Sequence, residues 1–222
     1  MTPEEFIIAN AALMAPPLVP EIKLHLATEV VPLWRATEDE LAEVGVPPPY
    51  WAFAWAGGQA LARYVLDNPA IVAGKKVLDI GSGSGLVAIA AAKAGAAHVL
   101  AADIDAFACA AIRLNASANA SAVTATQDDL IGAANAWDVI LVGDLFYERP
   151  LAERLLAWLT PLSVASLLGD PGRNYFPRDR VHKLAVYNVQ TTRDLEDREI
   201  RETGVYALRN GSAAQKADLP EP

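Results

Sequence analysis

An apolar segment of the chain, Val77–Ile80, leads directly into a turn in which every second residue is glycine: Gly81, Gly83 and Gly85. The residues that follow, Leu86–Lys93, have the composition of a helix. A strand that enters a helix through such a turn presents free backbone N–H groups at the helix N-terminus. Because glycine has no Cβ, a flat ligand can approach the main chain there. The pattern predicts a parallel sheet that binds an adenosine-containing ligand at the carboxyl ends of its strands.

The spacing of these glycines distinguishes between ligand classes. The dinucleotide fingerprint is G-x-G-x-x-G, in which the third glycine lets the helix pack closely against the strand. In this chain the spacing is G-x-G-x-G, and Asp79 precedes it in the predicted strand. The spacing therefore departs from the dinucleotide pattern. Taken alone, an ordinary tight turn between a strand and a helix explains it equally well.

Strand and helix patterns alternate along most of the chain. Strands are predicted near residues 75–80, 97–103, 122–127, 137–143, 164–169, 184–192 and 200–209. Helices are predicted near residues 60–67, 84–93, 106–119 and 150–159. The repetition predicts an α/β fold with a doubly wound, seven-stranded and mostly parallel sheet. No helical pattern separates the last two strands, so we expect them to form an antiparallel hairpin at one edge.

The residues before the first βα unit predict an N-terminal extension over residues 1–49, ahead of a main domain over residues 50–210. Thr2 has the features of an N-cap, followed by Pro3 and Glu5, for a helix that continues to Met14. A half-buried strand is predicted over residues 22–27, with His25 on its solvated side. A short helix is predicted over 38–44. The polar residues 211–222 are predicted to be a disordered tail.

Charge and composition exclude several classes of protein. The chain has 18 basic and 27 acidic residues and a net charge of −9, which disfavours binding to the phosphate backbone of a nucleic acid. A single cysteine, Cys109, excludes an intrachain disulfide and a multi-cysteine zinc site, and no metal is predicted. No apolar stretch is long enough to span a bilayer, and the N-terminus is acidic where a targeting peptide would be basic. A cytoplasmic protein without membrane partners is expected.

Acidic residues follow the second and third strands. Asp103 lies 22 residues after Gly81, and a carboxylate at that distance can accept hydrogen bonds from both ribose hydroxyls. An N-cap role for the next helix is the alternative, although Asp105 fits that role better. Asp128 follows the third strand and can accept a hydrogen bond from the adenine amine. A solvated loop acid is the alternative there, and Asp129 shares this ambiguity.

Two further apolar side chains, Ile104 and Leu130, lie next to these acids and are predicted to sandwich the adenine ring. Upstream, Trp55 precedes Gly57 and Gly58 at a predicted helix start. A large ring beside exposed backbone suits a ligand that carries a carboxylate and a cationic centre. The alternative is that this aromatic-rich segment is a hydrophobic plug beside the first strand.

The fourth strand ends in an acid followed by aromatic residues: Asp144, Phe146 and Tyr147. A carboxylate and two rings together favour binding of an amine, through hydrogen bonds and cation–π contacts. A capped loop whose phenylalanine fills the core is the alternative. The segment Gly169–Arg173 ends the fifth strand and is predicted to form another wall of the same pocket.

Four segments in this order resemble one family, the lysine methyltransferases of the electron transfer flavoprotein β subunit. More distantly they resemble the methyltransferase of a large-subunit ribosomal protein. The resemblance extends from about Tyr50 to Tyr187. The segments that carry it are Trp55–Tyr64, Val77–Gly85, Gly143–Tyr147 and Gly169–Arg173.

The resemblance implies a Rossmann-like class I fold, S-adenosylmethionine as methyl donor and a protein lysine as acceptor. It implies that the following residues contact the cofactor: Trp55, Gly58, Asp79, Gly81, Gly83, Asp103 and Asp128. It also implies that Asp144, with Phe146 and Tyr147, faces the acceptor, where Asp144 aims the amine rather than acting as a strong base. The flavoprotein subunit is the implied partner, with a ribosomal protein or a small-molecule amine as the alternative.

Two absences bear on this resemblance. The chain lacks the Asn-Pro-Pro-Tyr motif of enzymes that methylate amino groups of nucleic acids and glutamine. It also lacks the arginine-rich presequence of a mitochondrial member, so a bacterial member is expected. A nicotinamide oxidoreductase would require the missing third glycine. A cofactor-binding protein without activity is disfavoured by the acid and aromatic residues at 144–147.

Overall fold

The computed structural model describes residues 1–27, 48–191 and 200–209. The predicted helix at 38–44 and the predicted disordered tail lie outside these residues. Two strands near the N-terminus form a small antiparallel sheet: β1 Ala12–Met14 and β2 Leu24–Leu26. Seven strands form the main sheet: β3 Lys76–Ile80, β4 His98–Ala102, β5 Thr124–Thr126, β6 Val139–Gly143, β7 Ala165–Asp170, β8 Val181–Gln190 and β9 Ile200–Leu208.

The described part of the chain contains five α-helices: α1 Pro3–Asn10, α2 Ala56–Asp67, α3 Leu86–Lys93, α4 Ala106–Ala118 and α5 Arg149–Leu159. Their starts follow the local chemistry. At α3, Gly85 adopts a left-handed conformation (φ 82°) that any residue with a Cβ would disfavour. At α4, Asp105 accepts a hydrogen bond from the N–H of Phe107, so its predicted capping role is confirmed.

The strand order of the main sheet is β5-β4-β3-β6-β7-β9-β8. The strands from β5 to β7 are parallel, and β9 pairs antiparallel with both β7 and β8. The predicted doubly wound fold and its antiparallel edge hairpin are thus confirmed. The strand order reverses between β3 and β6, and ligands of this architecture bind outside the carboxyl ends of the strands at that point.

Alternating side chains of the central strands enter two separate cores. Val77, Val139 and Leu141 point to one face, which α2 and α3 cover. Leu78 and Ile140 point to the other face, which α5 covers. Because the central strands are buried on both faces, β6 is continuously apolar and β3 is apolar apart from Lys76 and Asp79.

The first helix is shorter than predicted. Thr2 and Glu5 form a reciprocal capping box at the start of α1, as predicted. The helix does not reach Met14, however. It ends at Asn10, whose side-chain amide donates to the carbonyl of Phe6, and the following residues pair with β2 instead.

His25 on β2 was predicted to be solvated, which is wrong. It is half-buried, and its backbone N–H donates to Oδ1 of Asn115 on α4 at 2.7 Å. Its ring Nδ1 lies 2.8 Å from the same oxygen. The small sheet therefore packs on the main domain through a polar contact that strand periodicity does not reveal. No helix in the described residues is both long and apolar enough to cross a membrane.

Three glycines let α2 lie directly on the ends of β6 and β7. A Cβ on Gly169 would meet the carbonyl oxygen of Gly57 far inside van der Waals contact, and would lie 2.8 Å from Cβ of Leu61. A Cβ on Gly143 would lie 3.2 Å from Cα of Gly58. The first turn of α2 consequently packs backbone against backbone on the two strands that end at the switch point.

This packing predicts opposite effects at two adjacent positions in α2. In Gly57→Ala the new Cβ would lie 2.5 Å from Oδ2 of Asp144 and closer still to the carbonyl oxygen of Gly169. We expect a loss of about 1–3 kcal/mol in the free energy of unfolding, typical of overpacking. In Gly58→Ala the nearest atom is Cγ2 of Val87 at 4.0 Å, so the helix preference for alanine should leave stability unchanged or raised. Urea denaturation of both variants tests this, and equal effects would contradict it.

Candidate functional site

The carboxyl ends of β3, β4, β6 and β7 surround a cavity of about 480 Å³. This cavity lies at the switch point, where the glycine turn predicts a ligand site. Among the residues that the sequence singles out, the following line it: Trp55, Gly81, Gly83, Asp103, Asp128, Asp144 and Tyr147. The predicted ring sandwich also lines it, through Ile104 and Leu130. Three other predicted contact residues, Gly58, Asp79 and Phe146, do not.

Asp79 holds the glycine turn from beneath the cavity. It is 1% exposed, and its Oδ2 accepts from the hydroxyl of Ser82 at 2.5 Å and from the N–H of Ala88 at 3.1 Å. Burial raises the pKa of this carboxyl to about 7, and the two donors oppose that shift. The expectation that Asp79 contacts a ligand is therefore corrected: it joins the turn to α3, because the strand delivers its side chain inward.

Asp103 lies at the end of β4, facing the cavity. Its Oδ2 accepts from the N–H of Gly83 at 2.9 Å and its Oδ1 from the N–H of Asp105 at 3.1 Å. Burial raises the pKa of this carboxyl, and the two backbone donors oppose the shift. Each oxygen keeps further lone-pair capacity toward the cavity. This is the geometry expected of a carboxylate that receives two neighbouring hydroxyls.

Apolar and acidic side chains line the part of the cavity near Asp103. Ile104, whose side chain is 71% exposed, and Leu130 both line the cavity. Asp128 is exposed and accepts from the hydroxyl of Thr126 at 2.6 Å. Asp129 instead pairs with Arg154 at 2.7 Å. Of the two candidate acids, Asp128 is thus the one whose carboxylate is not in an ion pair.

Asp144 follows β6 in a left-handed conformation, with φ of 56°, which is unusual for a residue with a Cβ. Its Oδ2 accepts hydrogen bonds from two backbone N–H groups in the first turn of α2, those of Gly57 and, at 3.1 Å, Gly58. Its own N–H donates to the carbonyl of Gly169 at 3.0 Å. A carboxylate at a helix N-terminus is stabilised by the free N–H groups and by the helix dipole.

The other oxygen of Asp144 is occupied by Arg173, which follows β7. Nε and Nη2 of Arg173 donate to Oδ1 at 3.0 and 2.7 Å. The same guanidinium lies 5.7 Å from the centroid of the Trp55 ring. The sequence predicts that a ligand places its carboxylate and its cationic centre beside Trp55 and the glycine pair. In the structure, the protein's own side chains supply both.

This arrangement revises three of the expected roles. The N–H of Gly58 binds Asp144 rather than facing the cavity. Phe146 is 1% exposed and packs edge-on against Phe176 with ring centroids 5.5 Å apart, so it fills the core and cannot touch an acceptor. Asp144 does lie in the cavity wall, but four N–H donors occupy its two oxygens, so it has no free lone pair for an amine.

Aromatic rings form the wall next to Asp144. The rings of Tyr50 and Tyr147 lie 6.0 Å apart, and those of Tyr50 and Trp55 lie 6.2 Å apart. The indole N–H of Trp55 donates to the carbonyl of Tyr50 at 2.9 Å, which fixes the ring. Burial, together with nearby negative charge, raises the pKa of Tyr147 to about 12, so its hydroxyl stays protonated at neutral pH.

Sequence reasoning missed two polar residues that organise the site. The segment Gly169–Arg173 was predicted as a wall, but the pairing of Arg173 with Asp144 was not. Asn115 is fully buried on α4, and its amide donates to the carbonyl of Ser84 at 2.8 Å, linking α4 to the glycine turn. An asparagine among the small apolar residues of a helix was the available signal.

Within the described ranges no cluster of three His, Cys, Asp or Glu side chains is placed to hold a metal.

Comparison with known proteins identifies close relatives. The electron transfer flavoprotein beta subunit lysine methyltransferase of Xenopus laevis is 41% identical over 217 residues, covering 93% of this chain and 87% of the relative. The protein of the same name from Danio rerio is 39% identical over 197 residues, covering 84% and 75%.

Two further comparisons describe the fold. The family model described as ribosomal protein L11 methyltransferase (PrmA) matches residues 59–145. The crystal structure of magnesium protoporphyrin IX methyltransferase from Synechocystis PCC 6803 with bound SAH has a TM-score of 0.51 and 15% identity, covering 68% of this chain and 81% of that chain. At this identity the likeness shows the fold alone.

The burial of Asp79 predicts a measurable pH dependence of stability. Its pKa is about 7 in the folded protein and about 3.9 when unfolded, so between these values the native state binds the extra proton. Stability from this group is therefore present at low pH and falls as pH rises through that window. In Asp79→Asn, the slope of unfolding free energy between pH 4 and 7 should change by up to about 1.4 kcal/mol per pH unit.

Chemical denaturation of wild type and Asp79→Asn at unit pH steps measures this difference. The comparison isolates Asp79, because Asp170, whose pKa burial also raises to about 7, is present in both proteins. Identical slopes would show that Asp79 stays ionised throughout the range.

Proposed function

The chain belongs to the family of electron transfer flavoprotein beta subunit lysine methyltransferases, and we propose that it transfers methyl groups from S-adenosylmethionine to lysine side chains of that flavoprotein subunit. The relatives confirm the family resemblance predicted from the sequence. The observation that carries the proposal is the similarity to the Xenopus laevis protein over 93% of this chain.

The donor half of the cavity supports S-adenosylmethionine. Gly81 and Gly83 expose backbone without side chains, and Asp103 offers a carboxylate fixed by two backbone bonds. In our proposal Asp103 accepts the ribose hydroxyls, and Ile104 and Leu130 hold the adenine ring. Asp128 accepts from the adenine amine. When bound, the cofactor supplies a sulfonium methyl group, and the chain's own residues position it.

The acceptor half supports an amine. Trp55, Tyr50 and Tyr147 present ring surfaces that suit the aliphatic chain of a lysine and its cationic head. Lysine must lose its proton before its nitrogen can attack the methyl carbon, and its reference pKa is about 10.4. Burial among rings disfavours the ammonium form. Asp144 contributes by fixing the wall that the amine approaches, and the released proton passes to water.

A second protein substrate has one observation in its favour. The ribosomal protein L11 methyltransferase model matches residues 59–145, which include the glycine turn and Asp144. Lysines of a ribosomal protein are therefore the alternative acceptor. The exclusion of nucleic acid and of membranes, and a cytoplasmic location, stay predictions from charge and composition.

The donor site predicts a specific loss of affinity in Asp103→Ala. Removal of a charge-assisted acceptor should weaken S-adenosylmethionine binding by about 1.5–3 kcal/mol, roughly ten- to a hundredfold in Kd. Isothermal titration calorimetry with S-adenosylmethionine, its demethylated product and NAD measures this. Binding of NAD without S-adenosylmethionine would contradict the donor assignment.

The substrate prediction is tested by radiolabelled methyl transfer to purified electron transfer flavoprotein, ribosomal proteins, RNA and free lysine, assayed side by side. We expect label on lysines of the flavoprotein β subunit and none on RNA or free lysine. Because the chain carries a net charge of −9, attraction to a basic segment should make transfer faster at low ionic strength.

The alternative outcomes of this assay discriminate between substrates. Label on a ribosomal protein as well would extend the substrate range without changing the chemistry. Label on RNA alone would overturn both the substrate and the acceptor role of the residues from Gly143 to Tyr147.

A further inference from the structure

Arg173 is the cationic side chain that contacts Asp144 in the cavity wall. Its side chain is 19% exposed and that of Asp144 is 8% exposed, at a separation of 2.7 Å. The guanidinium binds one carboxylate oxygen through two nitrogens, which fixes its plane. The proposed function assigns no task to this residue, although both partners line the cavity.

The hydrogen bonds of Asp144 indicate that it is ionised. Burial raises the pKa of this carboxyl, while Arg173 and the N–H groups of Gly57 and Gly58 oppose the shift. All four contacts to its oxygens come from N–H donors, so a carboxyl proton would face a donor and have no acceptor. Asp144 and Arg173 therefore place one negative and one positive charge side by side in the wall, and the net charge of this pair is zero.

Such a wall matters for the protonation of an incoming lysine. A carboxylate within about 4–6 Å stabilises an ammonium and raises its pKa, whereas a carboxylate already paired with a guanidinium does so far less. The nitrogen can attack only as the free amine, since the ammonium has no lone pair. An unpaired Asp144 would thus hold the substrate in its unreactive form.

We propose that Arg173 is a positioning residue that neutralises Asp144, so that the substrate lysine releases its proton to water in the cavity. This inference rests on the proposed function. The lysine loses H⁺ to solvent, and its lone pair forms a bond to the methyl carbon. The carbon–sulfur bond breaks in the same step, and its electron pair stays on sulfur as a neutral thioether. Arg173 takes no part in bond making.

Other ionisable groups near this wall determine the pH range in which the rates are compared. Asp170 at the end of β7 accepts from the backbone N–H of Arg173 at 2.7 Å, and burial raises its pKa to about 7. In the described part of the chain, further ionisable groups near this wall include Asp103 directly after β4, Tyr206 on β9, Tyr50, and Tyr147 and Glu148 after β6. Rates are therefore compared above pH 8, where Asp170 is already ionised.

The test measures methyl transfer to the flavoprotein β subunit between pH 8 and 10.5, with cofactor affinity by calorimetry for each variant. In Arg173→Gln the pKa of the substrate lysine should rise, so the rising limb of the pH–rate profile should shift to higher pH by about one to three units. The rate at pH 8 should accordingly fall at least tenfold and recover at high pH. Arg173→Lys keeps the charge and should keep the limb near its native position, even if the rate is lower.

Two further variants separate charge from structure. In the double variant Asp144→Asn with Arg173→Gln neither member of the pair is charged, so the limb should return toward the native pH. Arg178→Gln is the matched control: Arg178 is exposed and donates to the carbonyl of Gly172 in the same loop at 3.1 Å, whereas the described donors to Asp144 are Gly57, Gly58 and Arg173. Its profile should match that of wild type.

The outcomes distinguish this inference from the proposed function. If wild type transfers methyl groups to lysine but Arg173→Gln loses rate equally at every pH, the role of Arg173 is structural. The inference is then wrong, while the proposed function stands. If Arg173→Gln lowers KM and raises the rate, Arg173 instead occupies the place of the lysine, and the inference is also wrong. If wild type methylates no lysine, both are overturned.

Discussion

One buried carboxylate, that of Asp144, joins the elements on which the site depends. It links the end of β6 to the first turn of α2 through Gly57 and Gly58, and to the segment after β7 through Arg173. Removal of the Arg173 guanidinium would leave the buried carboxylate without its counter-ion, which costs about 3–5 kcal/mol. The same interaction determines the position of Trp55, which precedes α2, and therefore the shape of the aromatic wall.

The two halves of the cavity use buried acids differently. In the donor half, Asp79 is hidden beneath the glycine turn, where it binds the hydroxyl of Ser82 and the N–H of Ala88 in α3. Asp103 faces the cavity and binds the backbone N–H groups of Gly83 and Asp105. In the acceptor half, Asp144 binds backbone N–H groups and also a guanidinium. The donor half consists of a pattern common to the fold, whereas the charge pair after β6 and β7 gives the acceptor half its own chemistry.

Glycines allow this organisation because they bring backbones together. Gly169 and Gly57 approach so closely that neither position has room for a Cβ. Gly81 lies against Leu145, the residue after Asp144, and has a φ of 61°. The glycine turn and the segment after β6 are thus in direct contact.

The sequence alone determined the fold class, the strand positions and the family, because these depend on local patterns. Apolar periodicity, glycine spacing and an acid after each strand are visible along the chain and have one common structural solution. For this reason Asp105 was correctly predicted to cap α4, and Asp103, two residues earlier, lines the cavity as expected.

Only the tertiary structure decided which groups pair across the switch point. Asp144 precedes Arg173 by 29 positions and follows Gly57 by 87, and no local pattern records that these atoms meet. The sequence predicted a carboxylate and a cation beside Trp55 but could not tell ligand groups from the protein's own. Phe146 and Asp79 point inward for the same reason: the direction of a side chain after a strand is set by packing against distant elements, not by its neighbours in the chain.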